Sequence, residues 1–228
     1  MALSNNTNMN IGNFDSLVAE HIDEDTEFIP LLTLEDEEEI ERERIPHVLP
    51  ILPLKNTVLF PGVVVPITAG RDASIHLINE AYATTKTIGV VAQLDEKTEI
   101  PEGKDLFRFG TVARILRVLK MPDGNVTIII QGKKRFEIES FVEEKPYIKA
   151  VIKEMSDIKP DPDDKEFEAT IDAVKDLSIK IIQENPNIPS EAAFAIRNIE
   201  SYSFLINFIS SNMNATVLEK QGVLEIDE

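Results

Sequence analysis

Residues 109–153 read FGTVARILRVLKMPDGNVTIIIQGKKRFEIESFVEEKPYIKAVIK. Two runs rich in aliphatic and β-branched residues, Phe109–Lys120 and Asn125–Gln131, flank Met121-Pro122-Asp123-Gly124. Asp-Gly between such runs is a strong hairpin signal, because the turn needs a residue that accepts positive φ. After Gly132, Phe136, Ile138 and Val142 alternate with Glu137 and Glu139, and Ile148, Ala150 and Ile152 alternate with Lys149 and Lys153. A period of two gives one buried and one wet face. Short sequential strands of this kind, accompanied by one helix, predict a small closed or half-closed antiparallel barrel.

Upstream, VLPILPLKNTVLFPGVVVPI (Val48 to Ile67) also reads as strands, with Pro50, Pro53 and Pro66 pushing them toward edges or bulges. Pro61-Gly62 marks a turn between them. Asp72 can cap a helix that places Ile75, Ile78 and Tyr82 on one face, and Ile88–Leu94 is a short apolar strand followed by a polar loop to Asp105. Residues 46–156 therefore form the β-rich lobe. Downstream, Pro160-Asp161-Pro162-Asp163-Asp164 starts a helical lobe over 157–228. Phe167, Ile171, Val174 and Ile181 fall on one stripe of its first helix, with Leu177 beside it. Asn185-Pro186 ends that helix, a second begins near Pro189-Ser190-Glu191, and a third after Ser201 carries Leu205, Phe208 and Ile209. The expected fold class is thus α+β, a β-barrel lobe followed by an all-α bundle. The abrupt end at Glu228, without a terminator or a tail, reads as a cut.

Charge sets the first exclusions. The net charge of −18 argues against a nucleic-acid binder, since phosphate neutralisation needs Lys and Arg. Well over half of that excess lies before residue 45, so residues 1–45 are read as an acidic, disordered extension. No stretch approaches ~18 consecutive apolar residues, so no membrane span is expected. The start MALSNNTNMN lacks a secretory pattern, and the absence of cysteine suits a reducing cytoplasm. Neither Gly103-Lys104 nor Gly132-Lys133 has the upstream glycine or the following Ser/Thr of a phosphate-binding loop. There is no Gly-x-Ser-x-Gly elbow, and no thiol nucleophile. His76 and Glu80, one helical turn apart, are read as a surface hydrogen bond, because zinc sites usually need three protein ligands. Lys133-Lys134-Arg135, with Arg114, Arg117 and Lys120, form the one basic cluster. A weak nucleic-acid or acidic-peptide patch is the competing reading, but the cluster reads as a solvated strand edge defended by charge, since no aromatics are interleaved for base stacking. No catalytic, cofactor or metal site is expected in this chain.

Specific residues carry a family resemblance. LPILPLKNTVLFPGVVVPITAGR (Leu49 to Arg71) resembles the opening strands of the N-terminal domain of the ATP-dependent Lon proteases (endopeptidase La, LonA type), with their Phe-Pro turn, Pro-Ile pair and Gly-Arg before the helix. GTVARILRVLKMPDGNVTIIIQGKKRFEI (Gly110 to Ile138) is similar to that family's Gly-Thr-Val-Ala strand, Pro-Asp-Gly hairpin and Gly-x-x-Arg return strand. VLEKQGVLEID resembles the segment before the family's long central helix. Lys55 stands where arginine is usual, Gln131 where glutamate is common, and the acidic extension lies outside the pattern.

The resemblance implies a PUA-like β-lobe followed by a helical bundle. It implies a substrate-recognition role inside a homohexameric, ATP-dependent serine protease, in protein quality control and turnover of short-lived regulators. The ATP, the Mg and the Ser–Lys dyad would belong to domains this chain does not contain. Its partners would be unfolded or degron-bearing proteins and the rest of the protease chain. A free-standing adaptor is the competing reading, and a PUA-type RNA-binding module a third, which the charge opposes. A receptor for unfolded chains needs exposed apolar patches or an open strand edge. The candidate peptide contacts are Phe60 and Pro61 at the first turn, Phe107 after the long loop, and Leu119, Met121 and Pro122 at the hairpin tip.

Overall fold

A computed structural model describes residues 32–158, 160–161, 163–185 and 191–226. Its elements, in chain order, are α1 (Leu34–Arg42), β1 (Val48–Leu54), β2 (Val64–Ala69), α2 (Asp72–Ala83), β3 (Thr87–Ala92), a 3-10 turn (Gly103–Asp105), β4 (Phe109–Lys120), β5 (Val126–Glu143), β6 (Lys149–Glu154), α3 (Lys165–Glu184), α4 (Glu191–Asn198), α5 (Tyr202–Asn212) and α6 (Val217–Leu224). Contacts divide them into two units: residues 163–200 form one, and residues 32–161 with 201–226 form the other.

The hairpin that anchors the second unit forms where Asp-Gly stands. Gly124 takes φ +88°, the Gly124 amide donates to Met121 O at 3.1 Å, and the Met121 amide donates to Asn125 O at 2.9 Å. From it β4 and β5 run antiparallel, with Lys120 opposite Val126 and Ile115 opposite Ile130. The strand order is β2-β5-β4-β3-β1-β6, and β6 pairs again with β5. The pairings thus close a circuit through β5, β4, β3, β1 and β6, with β2 laid along β5 as an edge. The 18-residue β5 allows this, because Val126–Gln131 pair with β2 while Phe136–Glu143 pair with β6. One pair departs from an all-antiparallel arrangement: β1 runs parallel to β3, Ile51 opposite Gly89. Parallel neighbours need a long crossover, and β2 with α2 supplies it.

Alternate residues of β5 face the interior. Val126, Ile128 and Ile130 join Leu52, Leu77, Ile78 and Ile88 in one apolar cluster, and Phe136 and Ile138 join Leu49, Ile51 and Ile152 in another. Each such side chain is worth ~1.5–3 kcal/mol on burial, so these clusters hold the sheet. In α2 the buried face is Ser74, Leu77, Ile78 and Ala81. The expected Ile75–Ile78–Tyr82 stripe is rotated, with Leu77 and Ala81 joining Ile78 inside and Tyr82 left exposed; the helix starts at Asp72 itself, so Arg71 and not Asp72 holds the cap position, without a side-chain hydrogen bond.

The helical part differs from the expected lobe in two respects. In α3, capped by Asp164 Oδ1 accepting from the Glu166 and Phe167 amides, the buried residues are Ile171, Ile179 and Ile182. Ile181 of the expected stripe and Leu177 beside it lie exposed at 54% and 60%. Ile196 and Ile199 of α4 and its end are buried, and Lys175 Nζ donates to Ile199 O at 2.9 Å. Second, α5 and α6 group with the sheet instead of with α3 and α4, because the buried Phe204 sits against Gly62. The terminator Pro186 and the helix start at Pro189-Ser190 lie outside the described residues, as do residues 1–31 of the acidic extension. The described part of that extension is not without structure: Leu34–Arg42 is a helix closed by a Thr33–Asp36 capping box. Among the described residues no helix is long and apolar enough to cross a membrane.

Candidate functional site

The Phe60-Pro61 turn proves to be a strap across the sheet. Thr111 Oγ1 donates to Leu59 O at 2.6 Å, the Gly62 amide to Gly132 O at 2.9 Å, and the Gly132 amide to Val63 O at 2.9 Å. A Cβ on Gly132 would lie 2.2 Å from Phe60 O, so the strap requires glycine there. Phe60 is only 1% exposed. Its side chain is core and unavailable to a peptide, which corrects its assignment as a contact. Pro61 is half-buried beside it.

The other candidates do not converge. Met121 and Pro122 are exposed at the hairpin tip, and Leu119 is half-buried one step below. Phe107 packs partly against the cluster of Leu49, Ile51 and Phe136, and its amide donates to Ala92 O at 3.1 Å. The length of β4 separates it from Met121, on the order of 35 Å at strand rise. Hence Leu119, Met121 and Pro122 make one patch that excludes Phe60 and Phe107.

A larger apolar surface adjoins that patch, and the hairpin signal alone does not reveal it. Opposite the core-facing Val126, Ile128 and Ile130, β5 presents Thr127, Ile129 and Gln131 outward. On β2 their cross-strand partners are Thr68, Pro66 and Val64; on β4 they are Leu119, Arg117 and Arg114. Thr68 and Thr127 share a hydroxyl hydrogen bond of 2.9 Å. Val64, Pro66 and Ile129 are half-buried and Leu116 is 45% exposed. This outer face is an apolar strip with arginines on one flank, bounded by the β2 edge where Pro66 interrupts the free ladder.

Further along β5 the same outward row continues as Lys133 and Arg135, and both are covered. Arg135, buried to 7%, donates from Nε and Nη2 to Asp157 Oδ1 at 3.0 and 2.6 Å, and from Nη1 to Leu224 O at 2.8 Å and to Ile226 O. It therefore clamps the C-terminal end of α6. Lys134 Nζ donates to Glu43 O at 2.9 Å and pairs with Glu154 at 3.1 Å. Burial pushes the Lys133 ammonium below its ordinary pKa, opposed by the field of Glu43, Asp36 and Glu39. The basic run is thus not the solvated edge that the sequence suggested. It is engaged by the chain's own acidic residues and backbone carbonyls. His76 Nε2 lies 3.5 Å from Glu80 with both exposed, and among the described residues no three His, Asp or Glu side chains gather as metal ligands.

Arg71, of the Gly-Arg pair, donates to Gln93 Oε1 at 2.6 Å and Thr98 O at 3.4 Å, and burial lowers its pKa. It ties the start of α2 to the loop after β3.

A family model described as the ATP-dependent protease La (LON) substrate-binding domain matches residues 48–228. The Lon protease of Flavobacterium johnsoniae is 62% identical over 221 residues, covering 97% of this chain and 27% of its own length. That of Cytophaga hutchinsonii is 51% identical over 205 residues, 90% of this chain and 25% of its own. The chain therefore spans about a quarter of the length of the curated relatives it matches. Among solved structures, the N-terminal domain of a Mycobacterium avium complex Lon protease superposes with a TM-score of 0.65 at 20% identity, over 79% of this chain and 91% of that one. At that identity the likeness supports the fold.

Proposed function

We propose a function that starts from one fact: the chain belongs to the ATP-dependent protease La (Lon) substrate-binding domain family. It acts as the receptor portion of an ATP-dependent serine protease of the cytoplasm, capturing unfolded or degron-bearing proteins for a homohexameric parent. The circuit of strand pairings corresponds in this reading to a PUA-like barrel. The chemistry of ATP, Mg and a Ser–Lys dyad belongs to other parts of the parent chain; this chain contributes binding only.

The observation that carries the reading is the family match across the whole of the sheet and the helices that follow it in sequence, residues 48–228. The sheet supports it by offering what an unfolded chain needs. The hairpin tip (Leu119, Met121, Pro122) and the strip of Val64, Pro66, Ile129 and Leu116 present apolar surface, and Met adapts to varied side chains. Binding of one such patch is weak, so capture gains from several domains acting together.

The test is binding of the chain, without ATP, to a reduced, permanently unfolded protein and to its folded form. The unfolded form should bind preferentially, and Met121→Asp with Ile129→Asp should weaken it about tenfold. Equal binding to both forms, or no effect of the two substitutions, refutes the site.

A further inference from the structure

The helix α1 lies on the same outward row of β5 that the apolar strip occupies, and its contacts describe what that row accepts. Leu32 is 8% exposed, with its Cδ2 next to Gly62, and Ile40 is 7% exposed. Ile40 shares a small crevice with Ile45, Thr87, Val112, Arg114 and Lys133. Between these anchors, Ser201 Oγ donates to Glu37 Oε1 at 2.5 Å. Glu43 lines the same crevice as Lys133, whose ammonium lies in the field of Glu43, Asp36 and Glu39, while Lys134 holds the Glu43 carbonyl. Arg114, which lines the crevice, is the cross-strand partner of Gln131, the last residue of the exposed strip. The covered and the open surface are therefore neighbours on one face.

Two features make α1 a weakly held occupant. It has nine residues, below the ~12–15 at which an isolated helix becomes marginally stable. Its remaining side chains, Leu34, Glu35, Glu38, Glu41 and Arg42, are exposed. Elements with few buried contacts open locally well before the rest of a fold. It also lies before residue 48, where the family match begins.

We propose that α1 is a displaceable stand-in for substrate, and that the surface it covers binds acidic segments of client proteins carrying two apolar anchors about eight residues apart. This rests on the capture reading above and names the class of client. Opening of α1 uncovers Lys133 and the Ile40 crevice beside the exposed Arg114 and extends the apolar strip toward the Phe60 strap. A client that lays an apolar residue in the crevice and carboxylates over Lys133 replaces α1 with like chemistry.

The experiment uses the full chain and a labelled peptide of residues 32–45, LTLEDEEEIERERI, with Leu32→Asp/Ile40→Asp to release α1. The released chain should bind the peptide at least tenfold tighter than the parent chain, and added Lys133→Glu, or Ile40→Asp in the peptide, should remove that gain. Amide exchange should rise in 34–42 and stay unchanged in β4 and β5. If Ile40→Asp disturbs the sheet, Asp36→Lys/Glu39→Lys, both at exposed positions, releases α1 by repulsion from Lys133 and is read in the same way. Peptide binding no tighter in either released chain overturns the proposal. The unfolded protein separates the two readings. If it binds parent and released chains equally while the peptide binds neither, the stand-in role fails and capture stands. If the peptide binds the released chain while the unfolded protein binds neither, capture fails and the acidic-segment site stands.

Discussion

Replacing Arg135 with methionine keeps the apolar stem and removes every donor of the clamp on α6. The loss divides unequally among the partners. Asp157 is 48% exposed in its side chain, so it regains water when the guanidinium goes, and an exposed pair of this sort is worth ~1 kcal/mol or less. Leu224 is 2% exposed, and its carbonyl loses a charged donor. An unsatisfied buried acceptor costs ~1–3 kcal/mol. The expected total for Arg135→Met is about 2–4 kcal/mol, and for Asp157→Asn below about 1 kcal/mol. Arg135→Lys should lose most of the same amount, because one ammonium cannot replace a planar fork that spans a carboxylate and two carbonyls. The chain has no tryptophan, and its three tyrosines, Tyr82, Tyr147 and Tyr202, all lie in the sheet-containing unit. Tyrosine fluorescence in urea therefore follows that unit alone. With a slope of about 2 kcal/mol per molar, Arg135→Met should lower the midpoint by roughly 1–2 M. A shift no larger than that of Asp157→Asn refutes the clamp, because the ion pair would then account for everything Arg135 does.

Two further outcomes follow from the backbone and the caps. Gly132→Ala sets a Cβ against the Phe60 carbonyl at 2.2 Å, where no flexible side chain can yield. It should cost about 3 kcal/mol. Gly124→Ala, with φ +88° but open space around it, should cost only about 1 kcal/mol; equal urea midpoints for the two would be contrary evidence. Thr33's hydroxyl and amide hold Asp36 below its usual 3.8, and Thr216's amide and hydroxyl hold Glu219 below 4.5. A carboxyl whose pKa is lowered by folding stabilises above its ordinary value and stops doing so as pH falls through the lowered one. Both caps should thus hold at neutral pH and open only as pH falls below the ordinary carboxyl values of 3.8 and 4.5, seen as lost exchange protection at the Thr33 and Thr216 amides, which donate to the Asp36 and Glu219 carboxylates. Loss of that protection at about pH 6, measured against the intrinsic exchange rate at the same pH, would contradict the sign.

What could be read from the sequence is what depends on neighbours along the chain. Met121–Asn125 is a turn because of Asp-Gly, and β5 shows its inward face because Val126, Ile128 and Ile130 alternate with Thr127, Ile129 and Gln131. The Thr33-x-x-Asp36 pattern before Ile40 is equally local. It is a readable helix start, outweighed in the reading by the charge of the segment around it. Phe60 and Arg135 belong to another kind of residue. A Phe-Pro-Gly turn has the composition of an exposed loop, and only the closure of β5 at Gly132, 72 positions away, puts its ring in the core. The partners of Arg135 stand at 157, 224 and 226, so no window of sequence around Lys133-Lys134-Arg135 distinguishes a clamp from a basic patch. The same holds for the candidate surface. Leu119 and Met121 are local to the hairpin, so their place near its tip is readable from the sequence. Pro66 and Ile129 become one strip only because β2, laid down 60 residues earlier, returns as the edge beside β5. The sign of a charge cluster is therefore a poor guide to its partner in this chain: its acidic and basic runs are each other's ligands, and the open surface is the apolar row between them and the hairpin tip.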